Sequence, residues 1–192
     1  KTFKIIVEDA DFQFSSIKLT GKKKKILSQK GDLRKESKLF ASKFTLLTPT
    51  PYFKTKFIIP SRGRVSSSFG KYRTYNGKKS SKHAGLDISN ILGTTVRAAN
   101  RGKVLISNSF HYHGDTILID HGVGIFTIYN HLSSRFVREN QIVEKGQIIG
   151  HMGNSGLSTG SHLHWGFSAQ NTRVNPLYWI KHSFLYDGAI IK

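Results

Sequence analysis

"SHLHWGF", residues 161–167, decides the fold, because its residues alternate in chemistry with a period of two. A β-strand sends successive side chains to opposite faces. On such a strand His162, His164 and Gly166 share one face, while Leu163, Trp165 and Phe167 fill the other. The apolar face reads as core. Two imidazoles on the opposite face are either a hydrogen-bonded polar pair or one edge of a metal site, and the strand alone leaves both open.

The same texture extends outward. "KFIIP", "VRAANRGKVLIS", "DTILIDHGVGIFTIYNH" and "QIVEKGQIIG" are short apolar runs broken by Gly, Asn, Asp and Ser. Such punctuation predicts an antiparallel all-β domain over residues 55–181. Its clearest hairpin joins Ile117–Asp120 to Ile125–Asn130 through "HGVG", which places His121 in the turn. Upstream, "KTFKIIVED" (1–9) reads as a strand, and residues 10–27 are loosely patterned up to the Lys22–Lys25 run. Leu33, Phe40 and Phe44 predict a short helix with an N-cap at Asp32. The prolines of "LTPTPY" (47–52) mark a linker. The chain therefore divides into an N-terminal segment (1–54) with a strand and a helix, the β-domain (55–181) and a C-terminal tail (182–192).

The 192 residues include no cysteine, which excludes disulfides and thiolate metal sites and leaves His, Asp and Glu as ligands. No apolar run approaches the ~18–20 residues of a membrane-spanning helix. An opening at Lys1 without an apolar signal segment reads as a processed or trimmed piece of something longer, with room for a membrane anchor upstream. The net charge of +19 predicts attraction to a polyanion. A nucleic-acid-binding β domain would interleave surface aromatics with Lys and Arg. Here the aromatics sit mainly within apolar runs, so nucleic acid is not expected as a partner.

Partners for the two histidines lie in "KHAGLDIS", residues 82–89. His83 and Asp87 are four apart, roughly 13 Å along a straight strand. Donors on one zinc, each at about 2.0–2.2 Å from the metal, lie far closer together. The chain must bend between them, and Gly85 makes a bend cheap. His131 stands where "IFTIYNH" runs out into a loop, a common place for functional residues. His83, Asp87, His131, His162 and His164 thus offer the ligand types of a catalytic zinc, and sequence physics leaves open which of them bind. "HYH" (111–113) is a second H-x-H, read as structural or surface; His151 and His182 belong to no constellation.

"HAGLD", "YNHLS", "KGQIIG" and "GNSGLSTGSHLHWGF", in this order and spacing, resemble the lysostaphin/LytM family of zinc peptidoglycan endopeptidases over about residues 57–180. The resemblance implies a compact antiparallel β fold with a groove. It implies that His83, Asp87 and His164 bind one Zn2+, and that His131 and His162 are non-ligand catalytic histidines. All five positions are filled, unlike in degenerate members that lost zinc and act as amidase activators. The stretch "IIPSRGRVSSSFGKYRTYNGK" and the upstream helix look like those of Gram-negative cell-shape and division hydrolases. That implies a D-Ala–meso-diaminopimelate crosslink of peptidoglycan as substrate and a periplasmic or cell-envelope location. Tyr75, placed in the loop before His83, is a candidate substrate contact. The N-terminal segment resembles the end of an upstream domain and offers a site for a protein partner or self-association. Two rival classes are a non-hydrolytic or autoinhibited regulatory relative, its groove filled by residues 10–54, and a basic nucleic-acid-binding β domain.

Overall fold

The computed structural model describes residues 13–77 and 79–181. The strand expected at residues 1–9, the tail 182–192 and His182 lie outside them. The N-terminal part holds β1 (Phe14–Ile17), α1 (Gly21–Ser28) and α2 (Lys30–Phe44). Then come β2 (Arg64–Ser67), β3 (Tyr72–Tyr75), β4 (Lys79–Lys82), β5 (Gly85–Ser89), β6 (Thr95–Arg97) and β7 (Gly102–Phe110). They are followed by β8 (Gly114–Gly122), β9 (Ile125–Arg135), β10 (Ile142–Val143), β11 (Ile148–Met152), β12 (His162–Ala169), β13 (Thr172–Val174) and α3 (Pro176–Lys181).

Antiparallel pairing orders the main sheet β10-β7-β8-β9-β12-β5-β2, with β11 bridging β6 and β9 and β13 beside β12. A small second sheet sets β3 between β1 and β4, and there β1 runs parallel to β3. The all-β reading of the central domain holds.

Both faces of β8 and β9 are covered, which explains their nearly unbroken apolar runs. Ile117, Ile119 and Tyr129 join Trp165 and Phe167 in the larger core. On the other face Leu118, Phe126 and Ile128 receive Phe40 and Phe44 of α2. Phe44 meets Phe126 edge-on at 5.5 Å between centroids. Burying each phenylalanine contributes about 1.5–3 kcal/mol, so α2 is held by packing more than by propensity.

Several local expectations need correction. The Lys22–Lys25 run is helical, not loose: lysine is a good helix former, and Lys23 is tethered to a distant loop. Asp32 lies in the first turn of α2, not at its cap, because the helix begins at Lys30. "KFIIP" forms no strand; Phe57 is a core residue, and the Ile58 N–H donates to the Ala99 carbonyl. His121 is not in the turn but fully buried at the end of β8. Its Nδ1–H donates to the Arg101 carbonyl at 2.8 Å, and Nε2 meets the Thr127 hydroxyl at 2.7 Å.

Candidate metal centre

β5 and β12 are antiparallel neighbours, and their register sets Asp87 directly opposite His164. His83 precedes β5 and turns back over it. The result is a triangle of donor atoms. His83 Nε2 lies 2.9 Å from Asp87 Oδ1 and 3.0 Å from His164 Nδ1, and His164 Nδ1 lies 2.9 Å from the same oxygen. His83 and Asp87 are buried.

Gly85 has a different role from the bend expected of it. It lies within β5, and a Cβ there would sit 2.6 Å from the Trp165 carbonyl oxygen and 2.8 Å from the His164 ring. Glycine lets β5 and the His164 ring approach.

Hydrogen bonds to carbonyls define the proton positions. His83 Nδ1 is 2.7 Å from the Ser68 carbonyl, which can only accept, so the proton sits on Nδ1 and Nε2 carries a lone pair. The same logic holds for His131, whose Nδ1–H donates to the Ser155 carbonyl at 2.9 Å. His162 donates its Nδ1–H to the Gly160 carbonyl at 2.9 Å. The remaining nitrogen of all three rings is therefore bare. His162 Nε2 is 3.9 Å from Asp87 Oδ1, and the His131 and His162 rings are 4.9 Å apart.

Nitrogen lone pairs and a carboxylate oxygen at such separations repel unless a proton or a cation lies among them. Neutral imidazoles plus one carboxylate fit zinc, whose donors at about 2.0–2.2 Å necessarily lie close together. The residues present fit the ion.

Burial sets the charge states. It pushes His164 down to about 4, with Asp87 acting in the opposite direction. Burial, then the neighbouring His162, holds His131 well below the usual imidazole range.

His131 is not at a strand end. β9 continues to Arg135, and His131 sits at an irregularity where φ is +63°. On one side of it Asn130 pairs with β12, and on the other Leu132 pairs with β11. A left-handed non-glycine residue at such a junction is strained and must be held by its surroundings.

Arg73 escaped the sequence reading. Its guanidinium binds Asp87 Oδ2 at 2.5 Å and Ser67 Oγ at 2.7 Å, which leaves Asp87 Oδ1 to the histidines. The available signal was its alternation with Tyr75 in "KYRTY", which puts both residues on one face of β3. Tyr75 lies on that strand, not in a loop, and is buried. Two cavities of about 320 and 200 Å3 flank the centre and share Arg73, Tyr75, His131 and Leu157 as a wall. His113 of the second H-x-H has a structural role, its ring bound to Glu36 at 2.7 Å.

A mostly β fold with a His–Asp–His group able to hold a metal ion, two further bare imidazoles and cavities on either side has the chemistry of a metal-dependent hydrolase. Residues 81–176, half of the chain, match Peptidase family M23, and the chain belongs to that family. It is 34% identical over 123 residues to the peptidoglycan DD-endopeptidase ShyA of Vibrio cholerae, covering 64% of this chain and 29% of that protein. The chain thus spans less than a third of that relative. Among solved structures, an M23 protein of Pseudomonas aeruginosa superposes with a TM-score of 0.69 at 29% identity, covering 78% of this chain and 61% of that one. A zinc-containing peptidase from Vibrio cholerae gives 0.62 at 27% identity, covering 65% and 40%.

Proposed function

We propose that this chain is a zinc-dependent endopeptidase unit that hydrolyses peptide crosslinks of peptidoglycan in the bacterial envelope. The observation that carries this reading is the His83–Asp87–His164 triangle with the bare nitrogens of His131 and His162 beside it. On this reading residues 55–181 are the catalytic domain, and the three triangle residues hold one Zn2+. When bound, the ion supplies Lewis acidity toward water and the scissile carbonyl.

The chain's own residues do the rest. Ser155 and Gly160 fix the ring protons of His131 and His162 on Nδ1, so each presents Nε2 to the site. Such a nitrogen accepts a proton from the attacking water or, once protonated, donates to the oxyanion. Arg73 holds Asp87, and Tyr75 forms part of the wall against which a peptide would lie. The likeness to a DD-endopeptidase supports the D-Ala–meso-diaminopimelate bond as substrate. A net charge of +19 supports residence at an anionic wall in the periplasm.

Purified sacculi test the proposal. Crosslink-cleaved fragments should appear with the protein and vanish with a chelator, and diaminopimelate-type muropeptides should be cut faster than pentaglycine. Fragments that persist undiminished after metal removal would exclude the zinc reading.

One observation favours a second reading, a regulatory or autoinhibited partner of another wall hydrolase. Ser15, Ile17 and Leu19 of the N-terminal part line the larger cavity beside Asp87 and His131. Zinc-loaded protein that binds sacculi and cuts no crosslink would support it.

A further inference from the structure

His131 is held at two points, and both holders are loops. Its backbone N–H donates to the His113 carbonyl at 3.0 Å, and its ring Nδ1–H to the Ser155 carbonyl at 2.9 Å. The first loop joins β7 to β8; the second follows β11. They are packed together: the Leu157 N–H donates to the Tyr112 carbonyl at 2.8 Å, and the Asp115 N–H to Ser155 Oγ at 2.9 Å. A Cβ on Gly156 would lie 2.3 Å from the Gly114 nitrogen, so the two backbones are in direct contact.

Each loop is also gripped from the N-terminal part of the chain. Glu36 of α2 is buried and spends its carboxylate on the first loop. It accepts the Tyr112 N–H at 2.9 Å, the His113 N–H at 3.3 Å and the His113 ring N–H at 2.7 Å. A buried carboxylate is costly unless so satisfied, so this loop and α2 are tied to one relative position. Burial alone would raise the Glu36 pKa, but the hydrogen bonds from His113 and Tyr112 win and keep it lowered. Lys23 of α1 donates to the carbonyls of Asn154 at 3.0 Å and Gly156 at 2.6 Å, straddling Ser155.

We propose that α1 and α2 form a clamp that positions His131, with Glu36 and Lys23 as its positioning residues. The proposal rests on His131 taking part in proton transfer, as argued above. Phe40 and Phe44 already cover the sheet, so neither Glu36 nor Lys23 is needed for that task. Both instead meet the two loops whose carbonyls hold His131. A residue with φ of +63° needs such determination from outside, since its own backbone preference works against it.

The test uses the whole chain loaded with zinc, in four variants: Glu36→Ala, Glu36→Gln, Lys23→Ala and, as a control, Lys22→Ala on the exposed side of α1. Two quantities are read on the same samples: the NMR resonances of the His131 ring, and kcat and KM on crosslinked muropeptides, with metal content checked. Glu36→Ala and Lys23→Ala should each move the His131 Nδ1–H resonance and lower kcat about tenfold, short of the ~100-fold that a 1 Å misplacement can cost. KM and zinc content should hold. Glu36→Gln, which keeps an acceptor, should recover part of the loss, and Lys22→Ala should match the wild type. Should Glu36→Ala fail to fold, Lys23→Ala carries the test alone, because its side chain leaves no hole in the core. An unmoved His131 resonance in folded Lys23→Ala overturns the clamp even if the wild type cleaves. A moved resonance in a chain that cleaves nothing keeps the clamp and removes the peptidase reading.

Discussion

Arg73 and Asp87 are joined at 2.5 Å through the carboxylate oxygen that faces away from the histidines. The contact leaves Asp87 a single oxygen for the triangle and fixes the rotation of the carboxylate. Partners in this outer position typically change metal affinity or activity by about 10–100-fold when removed. Arg73→Ala should therefore weaken zinc binding by roughly that factor, and Arg73→Lys should recover only part: one nitrogen, Nη2, makes both the Asp87 and the Ser67 contact, and a lysine ammonium must reach the same point from a shorter, more flexible stem. Competition against a chromophoric chelator measures this without any substrate. Unchanged affinity in Arg73→Ala would show that Asp87 keeps its orientation toward the histidines without this contact.

Gly85 gives a steric prediction. A methyl group there meets the Trp165 carbonyl oxygen, which cannot move without parting β5 from β12. Gly85→Ala should cost about 1–3 kcal/mol, as overpacking usually does, and should weaken zinc binding as His164 is displaced. Thermal melts with and without zinc separate the two effects. A variant with native melting and native affinity would show that the strands part easily.

Much of this was legible in advance, for reasons that are local. The period of two in "SHLHWGF" is a property of seven adjacent residues, and it correctly assigned β12 and its two faces. Elements fixed by distant contacts were not legible. Nothing near Arg73 announces an aspartate 14 positions later across a strand boundary, and nothing near Phe14 announces parallel pairing with Tyr72. The four lysines of α1 have no buried residue to mark a helix face, and Lys23 finds its carbonyls more than 130 residues on. His121 beside a glycine looked like a turn because its burial depends on Arg101 and Thr127.

The two histidines of β12 should separate in one experiment. His164→Ala removes a corner of the triangle, so metal retention and cleavage should both fail. His162→Ala and His131→Ala leave the triangle whole, so zinc should stay while cleavage drops by about 10²–10⁴, the range for losing a general base or an oxyanion donor. Zinc content and rate must come from the same preparations. Loss of zinc in all three variants would mean that the bare nitrogens of His131 or His162 are ligands too.

A pH prediction follows from His121, which lies apart from the metal centre. Burial pushes it down to about 4, while its Nδ1–H bond to Arg101 acts the other way. The folded chain therefore holds it neutral where the unfolded chain, with an ordinary value near 6.5, already binds a proton. Because the unfolded state takes up more protons, stability is fully present above about pH 6.5 and is lost as pH falls toward 4. Between about pH 7 and about pH 5 this one residue should account for about 2 kcal/mol. Urea unfolding at both values measures the loss in the wild type, to which His131 and His164, also held down by burial, contribute with the same sign. His121→Gln cannot take up a proton, so it should be less stable at neutral pH but lose less on acidification. The difference in pH slope between the two proteins isolates His121. Equal slopes would mean that acid reaches the ring through local opening of the β8–β9 turn before the domain unfolds, and that the Arg101–His121–Thr127 contacts hold it less firmly than their geometry implies.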